Sequence, residues 1–524
     1  MSDASSPGPG SPPDEPQGIF ARAVAAWHTR LGTVDPKDEP VHTAPEDRIP
    51  FAGKLAYGAG AFVNNILAAA IGGMLIVLNL GLGMNPAVVG LLGAFPRLFD
   101  AIADPIMGYV TDNTRTRWGR RRPFIFVGAV ASGLIFPMLW ALPKGYSQDF
   151  YFWYFLVGSV LFYTAYTVFA APWVGLGYEL TPDYHERTRL MGVQNFIGQL
   201  AYVVSPWFLW IMTNKSWFED QLQGAFWLAV VIGALAIALG VLPALFLKER
   251  EAQAPSGPPQ LPAHSTEPKG LIAMVTDFLN GMKIALSSGP FMKLCAATFL
   301  VFNGFILISS FQSYVIIYYV FRGDQERGAE FAGYSGTVGA VSTFAVIVFI
   351  TWLGTKIGKR NAFFVSTGIS MVGYGLKWFS YDPDHPYLLL LPAPLMAFGL
   401  GGLFTLMGSM IADVVDVDEL TTHQRREGTF GAIFWWVVKL GMAAALAGGG
   451  FLLNATGFLV ELGGNQAAST ITMMRAFDAF IPLATSGIAV LVIWSYPITE
   501  QTARDVRKEL ERRRGPAQVA PQPA

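Results

Sequence analysis

The run Arg97-Leu98-Phe99-Asp100-Ala101-Ile102-Ala103-Asp104-Pro105 sets charges into an otherwise apolar stretch of a 524-residue chain. Asp100 and Asp104 are four residues apart, so on a helix both carboxylates face the same way. Two carboxylates in a low dielectric repel each other unless a proton or a metal cation joins them. Ionisable groups at membrane depth usually mark an ion or substrate path. The pair is therefore a natural place for Na+ or H+. Arg97, one turn earlier, is near enough to neutralise one carboxylate and is a candidate solute-binding residue; a buried Arg–Asp pair that only ties helices together is the second reading. A further isolated charge, Lys439, sits in Trp435-Trp436-Val437-Val438-Lys439-Leu440. It is too deep to snorkel easily, so it is expected to reach the carboxylate pair, contact solute or extend to a helix end. Lys377 lies nearer a membrane edge, where snorkelling is the expectation.

Long apolar helices must position these charges. The chain is 52% hydrophobic and 14% charged, against roughly 25% charged for a soluble domain, which points to a membrane protein. A bilayer core of about 30 Å takes about 20 apolar residues per helix. That length selects twelve spans, at 57–82, 86–110, 123–143, 149–175, 189–213, 223–247, 291–320, 331–354, 361–380, 387–412, 429–453 and 472–497. The expected fold is all-α, in two six-helix halves. Residues 1–53 read as a largely disordered tail, with surface-helix spacing at 19–31, and 54–248 as the N-terminal half. Residues 249–285 read as a linker, 286–498 as the C-terminal half and 499–524 as a second tail. Two such halves joined by a linker are the layout of major facilitator carriers, whose solute site lies at mid-membrane between them.

Lys and Arg crowd one set of loops, at Arg115 to Arg122, Arg187, Arg189, Lys356 to Arg360, Arg425, Arg426 and Arg504 to Arg514. The positive-inside rule makes that side cytoplasmic, with both termini on it. The export-leader pattern of a charged region followed by an apolar core is not visible in the first 50 residues. A bacterial inner-membrane location follows. On the same side Asp112 and Arg120 flank a tight inter-helix loop and are expected to hold neighbouring helices. Acidic Asp413 and Asp416 on one half and basic Arg187 on the other are suited to closing a salt-bridge gate. Solvated loop charges are the plain alternative.

Polar and aromatic residues inside the spans are expected partly to line a cavity and partly to bond helix to helix. Tyr57, Asn65, Trp173, Asn195, Gln199, Asn303 and Trp435 belong to this set. The single cysteine, Cys295, excludes a disulfide framework and a cysteine-based metal site. No nucleophile–base pair, metal-ligand spacing or phosphate loop is present, so neither an enzyme nor a cofactor is expected. With a net charge of −1, nucleic acid is not an expected partner. Solute and lipid are the expected contacts, and a monomer is the expected state.

Three blocks resemble the glycoside–pentoside–hexuronide cation symporter family of the major facilitator superfamily. They are Lys54 to Phe62, Arg97 to Arg122, and Arg425-Arg426-Glu427 with Lys439. The resemblance implies cation-coupled symport. Asp100 and Asp104 would bind the ion, with Thr167 as a further ligand and Lys439 close by. Asp413, Asp416, Arg187 and Arg425 would serve gating. The family's sodium site has Asn just before the second Asp, and here Ala103 stands there, which favours H+ over Na+. The family's sugar-binding acids fall at Asn65 and Ala170, and its arginine at Asn195. Its stacking tryptophan falls at Val174, next to Trp173. These departures favour a neutral, hydrogen-bonding sugar or glycoside, moved by alternating access. A lysophospholipid or other amphipath is the alternative, and a non-transporting sensor is a further one that the intact Asp100, Asp104 and Lys439 disfavour.

Overall fold

Capping residues set where the long apolar runs begin. In the computed structural model, Asn85 accepts from the Ala87 amide at 2.9 Å ahead of Pro86, and Ser147 accepts from Phe150 at 3.2 Å. Asp183, Asp220 and Asp324 do the same for the third residue beyond them, at 2.6, 2.9 and 3.1 Å. Each satisfies an amide that the first helical turn leaves unpaired.

The structure describes residues 45–181, 183–249, 271–423 and 426–514. The chain divides into two compact units, residues 1–48 and 49–524. In the first, the described part holds one 3-10 turn, Pro45–Asp47; the segment 19–31 lies outside the described residues.

The second unit carries the helices. They are α1 (Phe51–Met74, resuming as Ile76–Leu80), α2 (Pro86–Asn113), α3 (Arg122–Trp140) and α4 (Gln148–Glu179). Next come α5 (Tyr184–Val204, extended to Thr213) and α6 (Gln221–Gly240, extended to Phe246). After α7 (Leu271–Ser287) follow α8 (Gly289–Val315, ending in a π turn to Val320), α9 (Gln325–Ile357) and α10 (Lys359–Ser380). The last are α11 (Pro392–Thr422), α12 (Glu427–Ala455), α13 (Ala468–Trp494) and α14 (Glu500–Arg514).

Among the described residues, eleven helices are long and apolar enough to cross a membrane. α10 has the length of a span, but Ser366, Thr367, Ser370 and Lys377 dilute its hydropathy. It completes two sets of six, α1–α6 and α8–α13.

The halves join at the end of the bundle away from Phe51 and Arg514. The larger apolar core runs through the N-terminal half and continues there into Phe311, Tyr314, Tyr318, Tyr381 and Phe458. The smaller core is confined to the C-terminal half. Buried Tyr314 donates to Asn79 Oδ1 at 2.8 Å, while Asn79 Nδ2 bonds the Met84 carbonyl at 2.6 Å. Asn85 bonds Asn454 at 3.0 Å, Trp207 donates to Thr337 at 2.9 Å, and Gln221 bonds Gln325. Above this seal a vestibule of about 930 Å3 is lined by Lys144, Tyr146, Asp220, Gln325 and Glu326. Burial pushes the Asp220 carboxyl up, but hydrogen bonds from Lys144 and the Gln223 amide hold it below its ordinary range.

Small residues let α2 and α12 cross closely. A Cβ at Gly90 would stand 2.6 Å from the Leu446 carbonyl, so the two backbones are nearly in contact. The helices run antiparallel, and this crossing fixes which α12 residue faces the Asp100–Asp104 turn.

Candidate coupling site between the halves

That residue is Lys439. Its ammonium bonds Asp100 Oδ2 at 2.8 Å and also pairs with Asp104. Thr167 of α4 donates to the other Asp100 oxygen at 2.9 Å. Three helices from both halves thus converge on two carboxylates. Pro105 follows Asp104 and has no amide hydrogen, so the Ala101 carbonyl loses its helical partner at the same depth.

The two aspartates are not equivalent. The Asp100 side chain is 2% accessible and Asp104 39%, with Lys439 at 29%. Asp100 is the enclosed member and Asp104 the open one. Arg97 contributes charge from behind. Its guanidinium lies over the Tyr163 ring at 5.1 Å and donates to the Ala68 carbonyl at 3.2 Å. It is buried on the sealed side, so the expectation that Arg97 faces solute is corrected. Its charge can still offset one carboxylate through the protein's low dielectric.

Other expected solute contacts divide by exposure. Asn195 and Trp435 are exposed and Gln199 is half-buried; Trp435 stacks parallel on Phe404, centroids 6.0 Å apart. Asn65 is half-buried and donates to the Gly198 carbonyl at 3.0 Å, tying α1 to α5. Asn303 spends its amide on the Phe299 carbonyl at 2.7 Å, within its own helix.

Tyr57 and Trp173 are corrected outright. They are 1% and 2% exposed, stacked at 5.1 Å, with the indole N–H donating to the Tyr57 carbonyl at 3.2 Å. Sequence could not tell which face of α4 carried Trp173. Removing a core aromatic ring costs about 3–5 kcal/mol. Trp173→Ala is therefore expected to lower the melting temperature of the purified protein markedly while leaving solute affinity of the folded fraction unchanged.

Arg187, Asp413 and Arg120 take partners inside their own halves. Arg187 donates to the Thr181 carbonyl at 3.0 Å, and Lys359 holds both Asp413 oxygens at 2.7 Å. Arg120 pairs with Glu179, and Arg121 bonds the same carboxylate at 2.8 Å. Asp416 is half-buried on α11. Arg425 and the Asp112 side chain lie outside the described residues.

Several carboxylates that sequence reasoning passed over turn out to organise the bundle. Glu249 accepts from the backbone amides of Arg120, Arg121 and Arg122 at 2.7, 2.7 and 2.8 Å, an anion seated on the first turn of α3. Gly119 adopts φ +110°, and a Cβ there would meet that carboxylate at 2.6 Å. Glu186 bonds Lys54 at 2.7 Å and the Ile49 amide at 3.0 Å. Lys377 does not snorkel. It is 1% exposed and bonds Asp478 of α13 at 2.6 Å. A lone carboxylate in the apolar run after Arg475 was the available signal for Asp478.

The sequence profile described as MFS/sugar transport protein matches residues 56–500. The chain belongs to that family. Within the major facilitator superfamily it falls in the glycoside–pentoside–hexuronide cation symporter family, as the motifs indicated. An uncharacterized symporter of Synechocystis is 27% identical, over 89% of this chain and 98% of its own length. A glucuronide carrier protein homolog of Escherichia coli is 26% identical, over 88% and 95%. Among solved structures, a bacterial homologue of the human lysosomal transporter Spinster, inward-facing and unoccupied, superposes with a TM-score of 0.61 at 14% identity. That match covers 88% of this chain and 97% of the other. This MFS/sugar transport family protein is thus a multi-pass membrane transporter and not an enzyme.

Proposed function

We propose that this transporter couples uptake of a neutral sugar or glycoside to entry of a cation, with H+ favoured over Na+. The observation that carries the reading is the bridge from Lys439 on one half to Asp100 and Asp104 on the other. An ammonium occupies the position where a coupling cation would neutralise the carboxylates, so the ion and Lys439 compete for the same oxygens. Arrival of the ion at the open Asp104 releases Lys439 and loosens one tie between the halves. Ala103 supplies no side-chain oxygen, and Asp100, Asp104 and Thr167 form a sparse set for Na+, which supports the proton.

The termini lie on the cytoplasmic side of a bacterial inner membrane in this reading, and the sealed end faces outward. The chain is then inward-open, with Arg187 bonded to Thr181 and Asp413 to Lys359 inside their own halves. Asn195, Gln199 and Asn65 offer neutral hydrogen bonds to sugar hydroxyls, and Trp435 with Phe404 offers a stacking face. One charge moving down 100 mV releases about 2.3 kcal/mol. At about 1.4 kcal/mol per tenfold, that sustains roughly fifty-fold accumulation.

The test is purified protein in sealed liposomes, with labelled neutral sugars and glycosides under an imposed proton or sodium gradient. Gradient-driven uptake is expected under the proton gradient, and Trp435→Ala should raise KM for the sugar several-fold. Absence of sugar flux under either gradient, with displacement of bound label by a lysophospholipid, would overturn the sugar reading.

A further inference from the structure

The chain does not leave the bundle after α13. The Trp494 and Ser495 carbonyls that end α13 are taken by Arg360 at 2.6 Å and Lys293 at 2.5 Å. Tyr496 and Ile498 are buried in the turn that follows. Thr499 then caps α14, accepting from the Thr502 amide at 3.2 Å. α14 is a helix of 15 residues, about 22 Å long at 1.5 Å per residue. Ala503 packs on the smaller core, and Leu510, two turns on, is 5% exposed.

Its two ends rest on two different loops. At one end the Glu500 carboxylate lies against Gly358, whose φ is +81°, in the turn between α9 and α10. At the other end Arg513 donates to the Leu420 carbonyl at 2.9 Å and lies 3.5 Å from His423, the residue at φ +57° that ends α11. Between them Arg507 acts electrostatically on Asp413, which Lys359 already holds. Leu420 is one of the last α11 residues, where unpaired carbonyls and the helix dipole both attract a cation.

We propose that α14 is a strap that holds the cytoplasmic end of α11 in the inward-open arrangement. The acidic last turns of α11 carry Asp413, Asp416, Asp418 and Glu419. In the alternating-access reading, closing the cytoplasmic side brings basic residues of the N-terminal half, Arg187 among them, to those carboxylates. α14 ties the same turns through Arg513 and the Leu420 carbonyl and so holds α11 against closure. The strap rests on the alternating-access reading proposed above.

The experiment uses the full chain in liposomes, spin-labelled at exposed Tyr178 of α4 and Thr421 of α11, with distances read by double electron–electron resonance. The variants are Arg513→Ala, Arg507→Ala, their double and Arg513→Lys. Exposed polar contacts are individually weak, so the double variant is expected to raise the closed-to-open ratio about two- to five-fold. Arg513→Lys should stay near wild type. A lowered melting temperature with an unchanged distance distribution in the double variant would make α14 a structural cap and overturn the strap. If the wild type holds one distance with and without solute and gradient, alternating access itself fails, a result distinct from failure of the strap alone.

Discussion

Replacing either aspartate with asparagine is expected to abolish gradient-driven accumulation while sparing equilibrium exchange. In the wild type about 100 mV supports roughly fifty-fold accumulation per charge moved; in Asp104→Asn the ratio should fall to about one. The two variants should differ in a second readout. Asp104 is open to solvent, so Asp104→Asn removes the group that the ion meets first and leaves the enclosed Asp100–Lys439–Thr167 cluster standing. Counterflow of labelled sugar in that variant is expected to persist. Asp100→Asn instead breaks the bond to Thr167 and leaves Lys439 on one carboxylate. Its purified protein should also melt at a lower temperature. Full accumulation by both variants would remove the carboxylate pair from the coupling mechanism. Normal accumulation by Asp104→Asn alone would make Asp100 the sole coupling group.

The second large effect is expected far from the coupling site. Lys377 and Asp478 are each 1% exposed, with 2.6 Å between their charged atoms. Lys377 also lies 5.3 Å from the centre of the Tyr381 ring. Removing one partner strands the other charge, which costs about 3–5 kcal/mol. Lys377→Met and Asp478→Leu should each lower thermal stability severely. Replacing buried pairs with apolar residues of similar volume is often neutral, so the double variant should recover most of the loss. A double variant as unstable as either single would show that the pair does more than balance its own charges. Retained stability in both singles would mean that one group is already neutral in the folded protein.

These two pairs also show what a sequence can disclose. Asp100 and Asp104 were legible because four residues is one helical turn, and the turn survives whatever the tertiary structure does. Lys439 was legible as a lone charge in a long apolar run, although its partner was one option among several. Lys377 was misread because Asp478 is 101 residues away, and no local pattern links them. The assumption that a charge near a span end reaches water failed where an opposite charge was nearer than the surface. Trp173 failed for another reason. α4 is apolar around nearly its whole circumference, so periodicity does not separate its cavity side from its packed side. Thr167 was read as an ion ligand only through the family resemblance, since one threonine in a span does not by itself point to an ion. The span count was nearly complete in the sequence, and α10 was found by length despite its polar residues. The closed end was not legible, because it depends on which of two arrangements the halves adopt.

The crossing of α2 and α12 at Gly90 bears on how such a machine could be jammed. The seal there is main chain against main chain, with no side chain that could swing aside. Parting it requires the two helices to move apart as rods. A single added methyl group at Gly90 would act as a wedge between the two helices. It would bias the carrier toward the opposite face without touching a single group that handles ion or sugar.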